Sequence, residues 1–174
     1  MKVTVFGGAS PRPGQPAYQE AMVLGRLLAQ AGHTVLTGGY MGTMEAVSRG
    51  AVEAGGHTIG VTCQEIEDWR KSPANAWVKE EWKRQTLAER LVTLMDSADA
   101  MIALPGGPGT LTEISLAWNR MLVESLSHRP LIVIGDGWKA VIEQFYQSQA
   151  AYVPADVRPL LTFAKTVEEA ARLI

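Results

Sequence analysis

The sequence predicts an α/β protein: one doubly wound, mostly parallel sheet with helices on both faces. Three observations carry this expectation. Short β-branched runs alternate with helical patterns six times along the chain. The run Leu131–Ile134 is uncharged throughout, as a strand covered on both faces has to be. No repeat, low-complexity tract or linker interrupts the 174 residues, so 1–174 reads as a single domain.

The elements follow in order. Val3-Thr4-Val5-Phe6 is a strand ended by Gly7-Gly8, and a proline-rich loop leads to a helix from Pro16 to Ala31. Ala21, Leu24, Leu28 and Ala31 fall at helical spacing there, and Gly32 sits where a C-terminal cap belongs. Thr34–Thr37 is the second strand and runs into Gly38-Gly39; a helix from Thr43 to Ala54 follows, then a third strand, Thr58–Val61. Residues 62–76 read as irregular, and 79–96 as one long third helix. Ala100–Leu104 is the fourth strand, followed by a glycine-rich turn and a helix from Leu111 to Glu124. After the strand at Leu131–Ile134, a helix from Trp138 has Asp136 as its expected N-cap; a short strand near Leu160–Phe163 precedes the last helix.

Composition removes several function classes. Sixteen basic against eighteen acidic side chains give a formal charge of −2, which argues against a dedicated nucleic-acid binder. Cys63 is the only cysteine, so neither an internal disulfide framework nor a zinc site on paired cysteines is available; a buried thiol is the expectation. His33, His57 and His128 are isolated and lack metal-ligand spacing, so no metal is expected. The N-terminal apolar run meets Gly7 too early for a signal-peptide core, and no stretch of about 18 uncharged apolar residues exists. A cytoplasmic protein without membrane contact is the expectation.

In open α/β sheets, ligands sit beyond the carboxyl ends of the strands where strand order reverses. Gly7-Gly8, Gly38-Gly39 and Gly106-Gly107 all fall at such ends. The most informative segment is Pro105-Gly106-Gly107-Pro108-Gly109-Thr110-Leu111-Thr112-Glu113. Its glycines let a ligand approach the backbone, and the helix that follows directs free N–H groups and the positive end of its dipole outward. That is an anion cradle, and it matches neither a Walker loop nor a dinucleotide fingerprint. Thr110-x-x-Glu113 also has the form of a capping box, which would make Glu113 only a helix-end ligand. Arg90, placed late in the long third helix, would by itself be a surface residue or a dipole partner.

These residues resemble a known family. The Pro105–Glu113 segment resembles the Pro-Gly-Gly-x-Gly-Thr-x-x-Glu signature of the LOG family, formerly labelled "possible lysine decarboxylase". Val5–Ser10 is similar to that family's first strand and Gly-Ser-Ser turn; Leu36–Gly39 with Gly42–Ala46 is similar to its second glycine turn, and Thr86–Arg90 to its Thr-Met-His-Glu-Arg segment. The resemblance implies a Rossmann-like homodimer that binds a nucleoside 5′-monophosphate and, in enzymatic members, hydrolyses its N-glycosidic bond without a cofactor. The base released is typically an N6-modified adenine. It implies Arg90 and Glu113 as the catalytic pair, and a substrate and phosphate site at Gly8, Ser10, Gly38, Gly39, Gly42, Pro105, Gly106, Gly107, Gly109 and Thr110. No lysine has the context of a pyridoxal phosphate Schiff base, so decarboxylation is not expected.

Departures from the pattern define the rival expectation. Leu91 stands where a basic residue usually follows the arginine, Ala9 replaces a serine, and Glu45 replaces a glycine. Gly-x-Met-Glu-Ala is closer to a sister branch that includes molybdenum-cofactor carriers, so a non-catalytic nucleotide or molybdenum-cofactor carrier is the alternative. The third helix carries Trp77, Trp82, Leu87, Leu91 and Leu94, and with the resemblance this predicts a dimer surface on the helices flanking the fourth strand.

Overall fold

Strands with two covered faces should send alternate side chains into two different cores, and the central strands do. The computed structural model describes all residues, Met1 to Ile174. In β1 (Lys2–Phe6), Val3 and Val5 enter one core and Phe6 the other. Ile102 joins the first core from β5 (Ala100–Ala103), while Met101 and Ala103 join the second. In β6 (Leu131–Ile134), Ile132 and Ile134 lie on the first side, Leu131 and Val133 on the second. Thr4 is fully buried between them, and its hydroxyl donates to the Leu94 carbonyl at 2.8 Å.

The first core is closed by α1 (Pro16–Gln30), α2 (Thr43–Glu53) and the C-terminal α7 (Val167–Arg172). The second is closed by α4 (Leu87–Asp96), α5 (Pro108–Leu122), α6 (Asp136–Ser148) and a 3-10 turn, Ala155–Leu160. With β2 (Thr34–Thr37), β3 (Thr58–Cys63), β4 (Glu80–Arg84) and β7 (Thr162–Ala164), the sheet has seven strands in the order β4-β3-β2-β1-β5-β6-β7. Every neighbouring pair is parallel. The chain winds outward from β1 through β4 and returns to β5 beside β1, so strand order reverses between β1 and β5. The expected doubly wound α/β architecture is present, and the crevice it creates lies at the β1 and β5 carboxyl ends.

Several sequence expectations need correction. The long helix over 79–96 is two elements, because Glu80–Arg84 pairs in parallel with Ile59–Cys63 as the edge strand β4. Its charged residues suit an edge, where unpaired backbone must be shielded from other strands. Trp82 therefore lies on a strand and Trp77 ahead of it, and neither belongs to a helix. Thr86 then caps α4, with a complete capping box to Glu89 worth on the order of 1 kcal/mol. Arg90 is the fourth residue of α4, early in the helix. The stretch 62–76 holds the end of β3 and a short helix, α3 (Gln64–Arg70). Helix α5 begins at Pro108 with Gly107 as N-cap, so Thr110 is already helical and Thr110-x-x-Glu113 is not a capping box. Asp136 is the first residue of α6, whose N-cap is Gly135. Leu160 closes the 3-10 turn ahead of β7.

Candidate functional site

Three strand-to-helix connections meet in the crevice. Gly7–Ser10 leaves β1, Gly38–Gly42 leaves β2, and Leu104–Gly107 leaves β5. They are tied to one another: Gly8 N–H donates to Pro105 O at 3.2 Å, and the Thr43 amide and hydroxyl both donate to Gly8 O, at 2.9 and 3.1 Å. Arg12 adds donations to Ala9 O and Ser10 O at 2.8 and 2.9 Å, fixing the first turn from outside. The result is a cavity of about 440 Å³ whose walls include Gly8, Ser10, Arg90, Gly107, Gly109, Thr110 and Glu113.

The amides of Gly106, Gly107, Gly109 and Thr110 make no hydrogen bond within the protein. Those of Gly109 and Thr110 belong to the first turn of α5, where an α-helix leaves its N–H groups unpaired. A Cβ on Gly107 or Gly109 would meet no protein atom within 4 Å, so both positions face open space. Fixed donors, a helix dipole and room for a ligand at the backbone are what an anion cradle requires.

The other expected glycines work from behind. Gly42 has φ +77°, and a Cβ there would run into Gly8 O and the Ala9 backbone, so a side chain would displace the first turn. Gly38 packs directly against the Arg90 guanidinium. Gly39 lies against Gly60 and Thr62, while Gly106 lies against Thr110 and Gly8. Gly38, Gly39, Gly42, Pro105 and Gly106 thus shape the cavity without lining it.

Arg90 is 5% exposed and held by backbone. Its Nε donates to Val61 O at 2.7 Å and its Nη2 to Gly38 O at 3.1 Å, while the guanidinium lies 5.6 Å from the Tyr40 ring centroid. Tyr40 is itself fixed, donating to Cys63 O at 3.0 Å and accepting from Cys63 N–H at 2.9 Å. Two of the three guanidinium nitrogens are therefore spoken for, and Nη1 makes no hydrogen bond within the protein.

Glu113, on the second turn of α5, is 8% exposed and has no hydrogen-bond partner in the protein. It forms no direct ion pair with Arg90. Burial pushes its carboxyl up to about 7, with the Arg90 charge pulling weakly the other way. A carboxyl poised near neutrality in this cavity can take or give a proton at physiological pH.

The cavity also holds residues not anticipated as ligand contacts, among them Tyr40, Met44, Ile66, Trp69, Arg70, Leu87 and Leu91. Trp69 carried a signal, a lone indole in the charged run 64–71. Cys63 is buried, as expected of a structural thiol. His57 pairs with Glu80 at 3.1 Å and His128 contacts Met121 O at 3.2 Å, outside the cavity. No group of three or more His, Cys, Asp or Glu side chains gathers as a metal site would require, and no helix is long and apolar enough to cross a membrane.

Known proteins share both sequence and fold. The chain is 33% identical over 137 residues to the cytokinin riboside 5′-monophosphate phosphoribohydrolase of Mycobacterium tuberculosis, covering 78% of this chain and 71% of that one. It is 31% identical over 165 residues to a probable enzyme of the same name from Oryza sativa subsp. japonica, covering 87% of this chain and 58% of the rice protein. Among solved structures, the molybdenum cofactor binding protein of Rippkaea orientalis superposes with a TM-score of 0.76 at 26% identity, covering 99% of this chain and 93% of that one. The profile of the SLOG cluster4 family matches residues 1–159, from the first strand into the 3-10 turn. A match that spans every connection to the crevice settles kinship as the Pro105–Glu113 segment had forecast it: the chain belongs to the LOG-like SLOG cluster4 family.

Proposed function

We propose that the protein hydrolyses the N-glycosidic bond of a purine nucleoside 5′-monophosphate, an N6-modified adenine nucleotide among the candidates, to give free base and ribose 5-phosphate. The observation that carries this reading is the placement of Glu113 and Arg90 on the same cavity as the unpaired amides of Gly107, Gly109 and Thr110. The amides and the dipole of α5 take the phosphate. Cleavage at C1′ builds positive charge on the ribose, which an ionised Glu113 offsets; the same carboxylate can accept a proton from the attacking water. With its carboxyl near 7, Glu113 is close to half ionised at neutral pH, where a general base works best. The free Nη1 of Arg90 supplies a fixed donor to a phosphate or ribose oxygen. None of these steps calls for a metal or organic cofactor. Chromatographic detection of free base after incubation with AMP and an N6-substituted AMP tests the assignment.

A second reading has specific support. Leu91 lines the cavity where a basic residue usually stands, and the Rippkaea orientalis neighbour is a molybdenum cofactor binding protein. On that reading the same cradle holds a nucleotide or phosphorylated cofactor without chemistry. Glu45 does not bear on the choice: it accepts from the Tyr18 hydroxyl at 3.1 Å, between α1 and α2.

We also propose that the protein is a homodimer in the cytoplasm. An apolar groove of about 520 Å³ runs between α5 and α6, walled by Leu111, Trp118, Leu122, Val141, Phe145 and Tyr152. That groove makes α5 and α6 a surface on which a two-fold dimer could be built.

A further inference from the structure

Helix α3 is amphipathic in an unusual sense: two of its glutamates hold it to the protein, and its two large apolar residues line the cavity. It follows β3 without a loop, so it sits directly beyond the carboxyl edge of the sheet. Glu65 accepts from the Leu87 amide at 2.7 Å, Glu67 pairs with Lys83 at 2.5 Å, and the Glu65 amide donates to Gln85 O at 3.3 Å. None of its seven residues is buried. Ile66 and Trp69, three apart and hence on one helical face, both line the site cavity. Trp69 is 75% exposed, and the Arg70 guanidinium lies 5.0 Å from its ring centroid. Leu87 and Leu91, four apart on α4, line the same cavity. The indole does nothing for the core, yet it lines the cavity.

We propose that Trp69 is the stacking platform for the planar heterocycle of the bound nucleotide, with Arg70 steadying the indole and the phosphate held at Gly107–Thr110. The inference rests on the nucleotide reading above and adds the residue that recognises the ring. Stacking is indifferent to ring edges, so Trp69 selects for an aromatic ring while Ile66, Leu87 and Leu91 favour an apolar substituent on it.

The test compares AMP with ribose 5-phosphate, which keeps the phosphate and lacks the ring. By calorimetry, Trp69→Ala should weaken AMP binding roughly ten- to a hundred-fold and leave ribose 5-phosphate binding unchanged, and Trp69→Phe should restore most of the AMP affinity. The melting temperature should not move, since the side chain is not packed. Equal losses for both ligands, or AMP binding by Trp69→Ala at wild-type strength, would overturn the platform. So would a wild-type protein that binds AMP no better than ribose 5-phosphate. A ring-selective loss in a protein that never releases base would retain the platform and remove the hydrolase reading, while binding of neither ligand would overturn both.

Discussion

Replacing Glu113 by glutamine removes a charge that the fold has largely stripped of water, so the substitution should raise stability while it removes activity. The folded protein keeps the Glu113 proton up to about pH 7, whereas an unfolded chain releases it near 4.5. Across that window the native state binds the extra proton, so stability falls as pH rises from about 4.5 and levels off above about 7. At about 1.36 kcal/mol per pH unit, the displacement amounts to about 3 kcal/mol. Glutamine has no such proton and nearly the same shape, so Glu113→Gln should gain up to that amount at pH 8 and nothing at pH 4. The bonds of Arg90 to Val61 O and Gly38 O persist in the variant. For a domain of this size the gain corresponds to a rise in Tm of roughly 6–12 °C at pH 8. Base release should fall on the order of 10²- to 10³-fold, as when one preorganised electrostatic group is deleted. Thermal unfolding at both pH values, with turnover measured on the same samples, reads both quantities. Equal Tm for wild type and variant at pH 8, or full turnover by the variant, would refute the reasoning.

Other substitutions separate the remaining parts of the site. Gly107→Val places a side chain where no protein atom lies within 4 Å, so the protein should fold normally and lose nucleotide binding by calorimetry. Arg90→Lys should cut base release at least tenfold, because one ammonium cannot hold two carbonyls and still present a free donor; steady-state kinetics checks this. Wild-type activity should rise with pH through about 7 as Glu113 ionises, and that limb of the pH–rate profile should vanish in Glu113→Gln. Phe145→Asp on the α5–α6 groove should convert a dimer to a monomer in sedimentation, while sparing the fold, since the side chain is 43% exposed.

How much of this was legible in the sequence depends on which force dominates at each residue. The buried strands β1, β2, β3, β5 and β6 were readable because burial on both faces demands continuous apolar runs bounded by glycine. β4 was not: its Glu80-Glu81-Trp82-Lys83-Arg84 pattern reflects solvent at a sheet edge, and only pairing with β3 makes it a strand. Thr86-x-x-Glu89 has the form of a capping box and marks the true start of α4. Glu113 carried two compatible patterns, a cap and a cavity carboxyl; the helix starting at Pro108 decides between them, and local spacing cannot. Gly38 and Gly42 were recognised as important, yet their contact with Arg90 and with the first turn depends on neighbours distant in sequence. A lone indole in an acidic stretch acquires meaning only from the cavity that the fold builds around it, so the place of Trp69 is not legible in local sequence.

Product analysis decides between a cavity that cleaves the nucleotide and one that only holds it. Purified protein is incubated with AMP and with an N6-substituted AMP, and free base and ribose 5-phosphate are quantified together. The account predicts equimolar base and ribose 5-phosphate, growing with time in the wild type and suppressed in both Glu113→Gln and Arg90→Lys. Nucleotide that binds at the glycine cradle and is recovered intact after many binding lifetimes would contradict it and leave a carrier.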